Sequence, residues 1–309
     1  MSIKEKPKPK MIMMIGLPGS GKTTLAKALA MLYDAEIFSS NEIRKELYGD
    51  DCTNSKEENI LVFKEIHTRI KACLSHGESI IFDATNLSSK KRRNFLQELN
   101  KIDCEKECYL VLSTYEKCLE NIKNEGNVVS EDSMERLYKS FNTPYWYEGW
   151  NKISLCYSDG SNKAYGSPDA FVQELAVYDQ ENSNHKETLG IHMMKAFLHV
   201  IHNGNTDLSI AAYMHDIGKP KCKTFIDTKG NTSEQAHYYS HEFVGAYDSF
   251  FYNHCGNNKL HVAILIEKHM LPYISWSQSK KASFKAEKLL GKKLYNEIML
   301  LHEADKMAH

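Results

Sequence analysis

Short apolar runs alternate with helical periodicity from Met11 to about Tyr157, and beyond that point the alternation stops. The runs at 11–15, 36–39, 79–83, 107–112 and 152–156 have the length of strands. Between them, apolar positions recur every three or four residues and predict helices at 24–32, 57–74, 90–100, 116–123 and 131–141. A strand reaches a parallel neighbour only through a long crossover, so this order predicts an α/β domain with a parallel sheet. The later periodicity is helical, at 189–200, 207–215, 242–254, 260–269 and 292–306, and predicts an all-α second domain. Gly160, Asn162, Gly166 and repeated Ser give 158–167 the composition of a linker. The expected division is therefore a first domain at 11–157, a linker at 158–184 and a second domain at 185–309. Lys and Pro alternate through residues 2–10, which predicts a disordered basic arm over 1–10.

At 309 residues the chain is long enough for two such domains, each with its own core. Its 39 basic and 40 acidic residues leave a formal charge of −1, so contact with a polynucleotide would have to come from a local patch. Eight cysteines (Cys52, Cys73, Cys104, Cys108, Cys118, Cys156, Cys222 and Cys255) are scattered with no C-x-x-C pair and no signal-peptide pattern before them. Free thiols in a reducing cytoplasm are expected. No apolar run approaches the roughly 20 residues needed to span a bilayer, so no membrane association is expected.

Gly16-Leu17-Pro18-Gly19-Ser20-Gly21-Lys22-Thr23 fits the pattern G-x-x-x-x-G-K-[ST] and lies between a predicted strand and a predicted helix. Gly16, Gly19 and Gly21 let successive backbone N–H groups face one anion, while Lys22 reaches the β and γ phosphates and Thr23 ligates Mg²⁺. Ser20 and Thr24 are expected to join them around the phosphates of ATP.

Twelve of the fourteen histidines lie after residue 184, in the predicted helical domain. Imidazole is the commonest metal ligand, and carboxylates nearby complete a hard or borderline site. The segment Met214-His215-Asp216-Ile217-Gly218-Lys219-Pro220 resembles the signature of the HD phosphohydrolase superfamily, a helical fold named for its metal-binding His-Asp pair. His192 before it, and His241, His269 and Asp305 after it, occur in the order and contexts such domains use. The resemblance implies His192, His215, Asp216 and Asp305 around one metal, with His241, His269 and a bridging Asp216 available to a second. Lys219 is expected to hold a phosphate oxygen. A metal-bound water ionises near neutral pH and attacks phosphorus. Mixed His and carboxylate ligation suits Mn, Fe, Co, Ni or Zn. His302 and His237 are alternative ligands, by i,i+3 spacing to Asp305 and by i,i+4 spacing to His241 if that stretch is helical.

Two further segments bear on the first domain. Ser39-Ser40-Asn41-Glu42-Ile43-Arg44 follows the second predicted strand, and Ile80-Ile81-Phe82-Asp83-Ala84-Thr85-Asn86-Leu87 ends another on an acid. Over roughly residues 11–150 this order resembles the 5′-hydroxyl polynucleotide kinase family, although the second segment is shared with some sugar kinases. The resemblance implies that Arg44 holds the acceptor's phosphate and that Asp83 organises Mg²⁺ or its water shell. Asn41 stands where the family places its general-base aspartate, and an amide cannot take the acceptor's proton. The lid segment 121–127 has no arginine, leaving Lys123 or Arg136 to face the γ-phosphate. Tyr145, Trp146, Tyr147 and Trp150 form a cluster suited either to base stacking or to packing.

Together the two resemblances imply a nucleic-acid end-healing enzyme, more naturally acting on RNA than on DNA. An ATP- and Mg²⁺-dependent 5′-OH kinase would be joined to a metal-dependent 2′,3′-phosphatase, preparing ends for a downstream ligase. The alternatives are a phosphohydrolase under an ATP-binding regulatory P-loop domain, and a small-molecule kinase fused to a nucleotide phosphohydrolase.

Overall fold

The computed structural model describes residues 8–49, 55–125, 129–158, 160–183, 186–254, 256 and 258–309. The described chain divides into two compact units. One runs from the start of the described chain to Met134 and resumes at Pro144; the other comprises Glu135–Thr143 and Gly160–His309.

The first unit is an α/β layer around a five-stranded parallel sheet. Its elements are β1 (Lys10–Ile15), α1 (Lys22–Tyr33), β2 (Glu36–Ser39), α2 (Ser40–Tyr48), α3 (Lys56–Ser75), β3 (Ile80–Asp83), α4 (Ser89–Glu98), β4 (Glu105–Leu112), α5 (Tyr115–Asn124) and β5 (Lys152–Tyr157), with α6 (Glu131–Tyr138) divided between the two units at Met134. The strand order is β2-β3-β1-β4-β5, with every pairing parallel. β1 lies at the centre, which is why Met11 to Ile15 read as an unbroken apolar run: both of its faces are covered. Ile12, Met14, Ile81, Tyr109 and Val111 bury one sheet face against Ala26 and Leu29 of α1. The register aligns Ser39 with Asp83 and Met13 with Phe82, so the carboxyl ends of β1, β2 and β3 form one edge, where ligands of parallel sheets bind. α3 opens with a reciprocal cap in which the Ser55 hydroxyl accepts from the Glu58 N–H and the Glu58 carboxylate accepts from the Ser55 N–H.

The second unit contains α7 (Pro168–Glu174), α8 (Leu189–Val200), α9 (Thr206–Met214), α10 (Lys219–Cys222), β6 (Thr224–Ile226), β7 (Thr232–His237), α11 (His241–Ser249), α12 (Lys259–Lys268), α13 (Lys280–Leu290) and α14 (Lys292–Met307). α8 packs on α9 and α14, and α11 on α12. α9 and α12 bury most of their residues and carry apolar side chains on nearly every face, as central helices must. At Gly218 a β-carbon would lie 2.2 Å from the His241 carbonyl oxygen, so only glycine lets the turn after α9 touch α11.

The α/β first half and helical second half match the expected fold class, and several local expectations are corrected. The second unit holds an antiparallel hairpin, β6–β7, whose strands are short and mostly exposed and therefore carry little apolar signal. The expected linker contains helix α7, capped by the Ser167 hydroxyl on the Asp169 N–H. Residues 135–143, expected in the first domain, sit in the second unit, where Phe141 meets the Tyr247 ring at 5.0 Å and the Thr143 N–H donates to Glu267 at 2.6 Å. Lys8 pairs with Asp103 at 2.7 Å and Lys10 begins β1, so the arm expected over 1–10 is anchored at its end; residues 1–7 lie outside the described residues. Among the described residues Cys73, Cys104, Cys108, Cys118, Cys156 and Cys222 are free thiols, and no helix is long and apolar enough to cross a membrane. Cys52 and Cys255 lie outside the described residues.

Arg92 is 1% exposed and makes a bidentate ion pair with Glu148, at 2.8 and 2.6 Å, while also donating to the Asn86 and Leu87 carbonyls at 2.9 Å. The Trp150 indole N–H completes the Glu148 shell at 2.9 Å. Removing one partner of a buried pair strands the other charge in a dry environment. Glu148→Ala is accordingly expected to cost about 3–5 kcal/mol of unfolding free energy in a denaturant titration; a loss below about 1 kcal/mol, the range of exposed pairs, would contradict this account.

Candidate functional site

The glycine-rich loop joins β1 to α1 at the carboxyl edge of the sheet. The Gly16 N–H donates to the Thr85 carbonyl at 3.1 Å, and the Asn121 amide of α5 donates to the Gly19 carbonyl at 2.8 Å, so both flanks of the loop are pinned. Gly19 has φ +73°, and a β-carbon there would lie 2.4 Å from the Cys118 carbonyl oxygen. α1 starts after Gly21 with no side-chain cap and no acidic residue in its first turn. Its leading N–H groups and positive dipole end are left to an anion. The buried Ser20 hydroxyl has no hydrogen-bond partner among the described residues, and Thr24 is exposed beside it in the first turn.

Lys22 is buried, and its ammonium donates to the Leu17 carbonyl at 2.7 Å, folded back across the loop. Burial pushes its pKa down to about 8, against the opposing pull of Asp83. The Thr23 hydroxyl donates to Asp83 at 2.8 Å, joining the start of α1 to the end of β3 and placing a hydroxyl and a carboxylate together, as an Mg²⁺ shell requires.

Asn41 lies in the first turn of α2, and its side-chain oxygen accepts from Arg44 at 3.2 Å. Arg44 also donates to the Ser40 carbonyl at 3.2 Å and to the Asn59 side chain of α3 at 2.7 Å. These acceptors are all neutral, so they orient the guanidinium without cancelling its charge. Of the two lid substitutes, Lys123 pairs with Glu131 at 3.5 Å, whereas Arg136 belongs to the segment that clusters with the second unit. Lid residues 126 and 127 lie outside the described residues. The aromatic cluster does not form one platform: Trp150 is buried against Glu148, while Trp146 is half exposed and the Tyr145 and Tyr147 rings sit 6.0 Å apart at a tilt.

In the second unit, His192 from α8, His215 and Asp216 from the end of α9, and Asp305 from α14 point into one buried space. The His192 Nε2 lies 3.1 Å from His215 Nε2, 3.4 Å from Asp216 Oδ2 and 3.0 Å from Asp305 Oδ1, and His215 Nε2 lies 3.3 and 3.5 Å from the same two oxygens. Donors about 2.1 Å from one ion stand about 3.0 Å apart in an octahedron and about 3.4 Å apart in a tetrahedron, so the His192, His215 and Asp216 spacings fit a single cation, while Asp305 groups with His192 and His309. The other Asp216 oxygen, Oδ1, lies 3.1 Å from His241 Nε2 and 3.7 Å from His269 Nε2, with those nitrogens 3.3 Å apart. One carboxylate thus faces two donor groups.

The imidazoles are preset for this. His215, His241 and His269 each donate Nδ1–H to the carbonyl three residues earlier, at 2.8 Å to Ala212, 2.7 Å to Tyr238 and 2.7 Å to Ile266. A carbonyl only accepts, so each Nδ1 carries a proton and each Nε2 is aimed inward, where its lone pair is open to a metal once any proton there has left. Although burial opposes charge here, Lys219 and the imidazoles hold Asp216 well below the usual carboxylate range, and His192 and His215 do the same for Asp305. Against burial, Asp216 and Asp305 lift His215 to about 10, while burial and the two neighbouring imidazoles push His269 down to about 3. A proton on His215 balances the carboxylates, and a divalent cation taking its place would release it.

Lys219 is buried, with its ammonium 2.7 Å from Asp216 Oδ2 and 2.8 Å from the Gln180 side-chain oxygen. The alternative ligands lie elsewhere: His302 packs edge-on to Tyr273, and His237 sits on strand β7 stacked on Tyr239, so the helical spacing to His241 does not apply. His309, which the motif order does not reach, groups with His192 and Asp305, its Nε2 3.7 Å from Asp305. Gln180 lies in the stretch read as linker, with no sequence signal to mark it. Ser240, just before His241, is a non-glycine residue at φ +68°.

Two measurements test this geometry. Ser240→Gly is expected to stabilise the fold by about 1 kcal/mol in denaturant titration by relieving the left-handed backbone, and a loss would show that the serine side chain matters more. Nucleotide phosphates favour the protonated form of Lys22, so below about pH 8 binding needs no proton uptake, and above it each bound nucleotide must recruit one. ATP affinity measured by calorimetry is therefore expected to be flat below this pH and to fall above it by up to about tenfold per pH unit; a flat profile from pH 7 to 9.5 would refute this role.

The family described as AAA domain matches residues 11–144. No curated protein matches the chain. Among solved structures, the chain is similar to a candidate kinase from Chloroflexus aurantiacus, at 18% identity over 50% of this chain and 87% of that one, with a TM-score of 0.43. It is also similar to a chain in the structure of the Pnkp1/Rnl/Hen1 RNA repair complex, at 19% identity over 45% of this chain and 46% of that one, with a TM-score of 0.40. A gluconokinase from Sinorhizobium meliloti matches at 14% identity over 50% of this chain and 85% of that one, with a TM-score of 0.37. The family match and the loop geometry together make residues 11–144 a P-loop domain suited to ATP and Mg²⁺.

Proposed function

We propose that the chain is a bifunctional nucleic-acid end-healing enzyme. Its P-loop unit phosphorylates a 5′-OH using ATP, and its helical unit removes 2′ or 3′ phosphates with the help of divalent metal, leaving the ends a ligase joins. RNA is the preferred substrate class, because 2′ phosphates arise only there. The observation that carries the reading is the Asp216 carboxylate, whose two oxygens face separate imidazole groups inside a dry core. In the first unit, the uncapped start of α1 and Lys22 hold the triphosphate, Thr23 and Asp83 supply the Mg²⁺ shell, and Arg44 orients the acceptor's phosphate.

In the second unit, His192, His215 and Asp216 would hold one metal, with Asp305 reaching it beside His192, and Asp216, His241 and His269 would hold a second. Bound there, Mn, Fe, Co, Ni or Zn supplies Lewis-acid charge and lowers the pKa of water. The chain's own contribution is to fix the imidazoles through backbone carbonyls, exclude solvent and hold the Lys219 ammonium beside Asp216 for a phosphate oxygen.

A specific observation favours a second reading, in which the P-loop unit binds ATP and regulates the hydrolase. Asn41 offers an amide where a base is needed and spends its oxygen on Arg44. Transfer of labelled γ-phosphate to a 5′-OH oligonucleotide, run beside Asn41→Asp, separates the two. Activity in the original chain, or rescue by Asn41→Asp of at least about 10²-fold, supports the kinase; ATP binding with no transfer from either protein supports regulation. In the other unit, Mn²⁺-dependent release of phosphate from 2′- or 3′-phosphorylated oligonucleotides is expected, with Asp216→Ala abolishing it and leaving ATP affinity unchanged. A protein that leaves both oligonucleotides untouched with Mn²⁺ and Ni²⁺ would exclude the phosphatase.

A further inference from the structure

We infer that Gln180 is a positioning residue that holds Lys219 beside the metal ligands and limits its competition for Asp216. This rests on the metal-centre reading above. Gln180 is 1% exposed and fixed at three points. Its side-chain N–H donates to the Glu187 carbonyl at 3.1 Å, which turns its side-chain oxygen toward the Lys219 ammonium at 2.8 Å. Its main-chain carbonyl accepts from the buried Tyr238 hydroxyl at 2.6 Å, and the Tyr238 ring lies 5.6 Å from the same ammonium. Tyr238 also supplies the carbonyl that orients His241. One buried amide therefore connects the lysine on one side of the cluster with the strand end that leads to an imidazole on the other.

The chemistry of the amide suits the task. Lys219 shares Asp216 Oδ2 with the first donor group, so ammonium and metal compete for one oxygen. A neutral acceptor on its far side gives the ammonium somewhere else to rest without cancelling its charge. A carboxylate at 180 would neutralise the lysine that a phosphate needs, and a hydrocarbon would remove a neutral acceptor and let the ammonium lean harder on Asp216.

The test is a double-mutant cycle on the full chain, read by calorimetry with Mn²⁺ and then with inorganic phosphate added to the Mn²⁺-loaded protein. Gln180→Leu is expected to weaken Mn²⁺ binding by about tenfold and phosphate binding by a similar factor, with an unchanged melting temperature. In a Lys219→Met background the same substitution should change neither affinity, because its effect passes through the lysine. Gln180→Glu should keep Mn²⁺ binding and lose phosphate binding. Losses of equal size with and without Lys219, or unchanged affinities in Gln180→Leu, overturn the inference. If Gln180→Leu lowers the melting temperature, Gln180→Glu decides, since a purely structural role gives no split between the two ligands. An original chain that takes up no Mn²⁺ overturns the metal-centre reading instead, and a chain that binds both ligands but gives additive losses overturns only the role of Gln180.

Discussion

A carboxylate buried among four imidazoles and a lysine is the constraint on which the second unit turns. Asp216 is 2% exposed, and an isolated carboxylate there would be too costly to keep ionised. It stays ionised because α8, α11, α12 and the start of α10 bring cationic or polar groups to its two oxygens at once. The helices must come close for this, and Gly218 permits that approach at the turn following the His-Asp pair. Packing and electrostatics here are one requirement, since a shift in any contributing helix leaves charge uncompensated in a medium that cannot screen it.

The two units handle anions by opposite means. The P-loop unit leaves backbone N–H groups and a helix end unspent, with Lys22 resting on its own loop carbonyl until something better arrives. The helical unit commits its backbone in advance, through the carbonyls that aim three histidines, and so reserves the imidazole lone pairs for a cation. A loop of the first kind adapts around a triphosphate, whereas a cluster of the second kind is rigid and selects by ligand geometry.

Features carried by local signals were legible in the sequence. β1 is apolar throughout because both faces are covered, the phosphate loop needs its glycines in fixed order, and the His-Asp doublet with its flanking residues marks the cluster through its resemblance to a known signature. Features created by tertiary contacts were not legible. Gln180 sits in a polar stretch that looks like a linker, the β6–β7 hairpin buries too little to alternate, and Arg92 is a buried structural residue within a run of basic residues that suggests surface. His309 joins the cluster through the packing of α14 against α8, which no motif records. The aromatic group near 145–150 divides because Glu148 recruits Trp150 for Arg92.

Residues 135–143 interrupt the first unit and complete the second. Phe141 is fully buried against Tyr247 and Phe250, Tyr138 reaches Asp248, and Asn142 and Thr143 serve the buried Glu267. The chain therefore leaves the α/β unit, returns to it for β5, and leaves it again. A fragment cut at Gly160 would carry every candidate metal ligand and still lack part of its own interior. A cut at the apparent boundary would therefore separate Phe141 and Thr143 from the interior they fill, so the helical unit is not encoded by one unbroken stretch of chain.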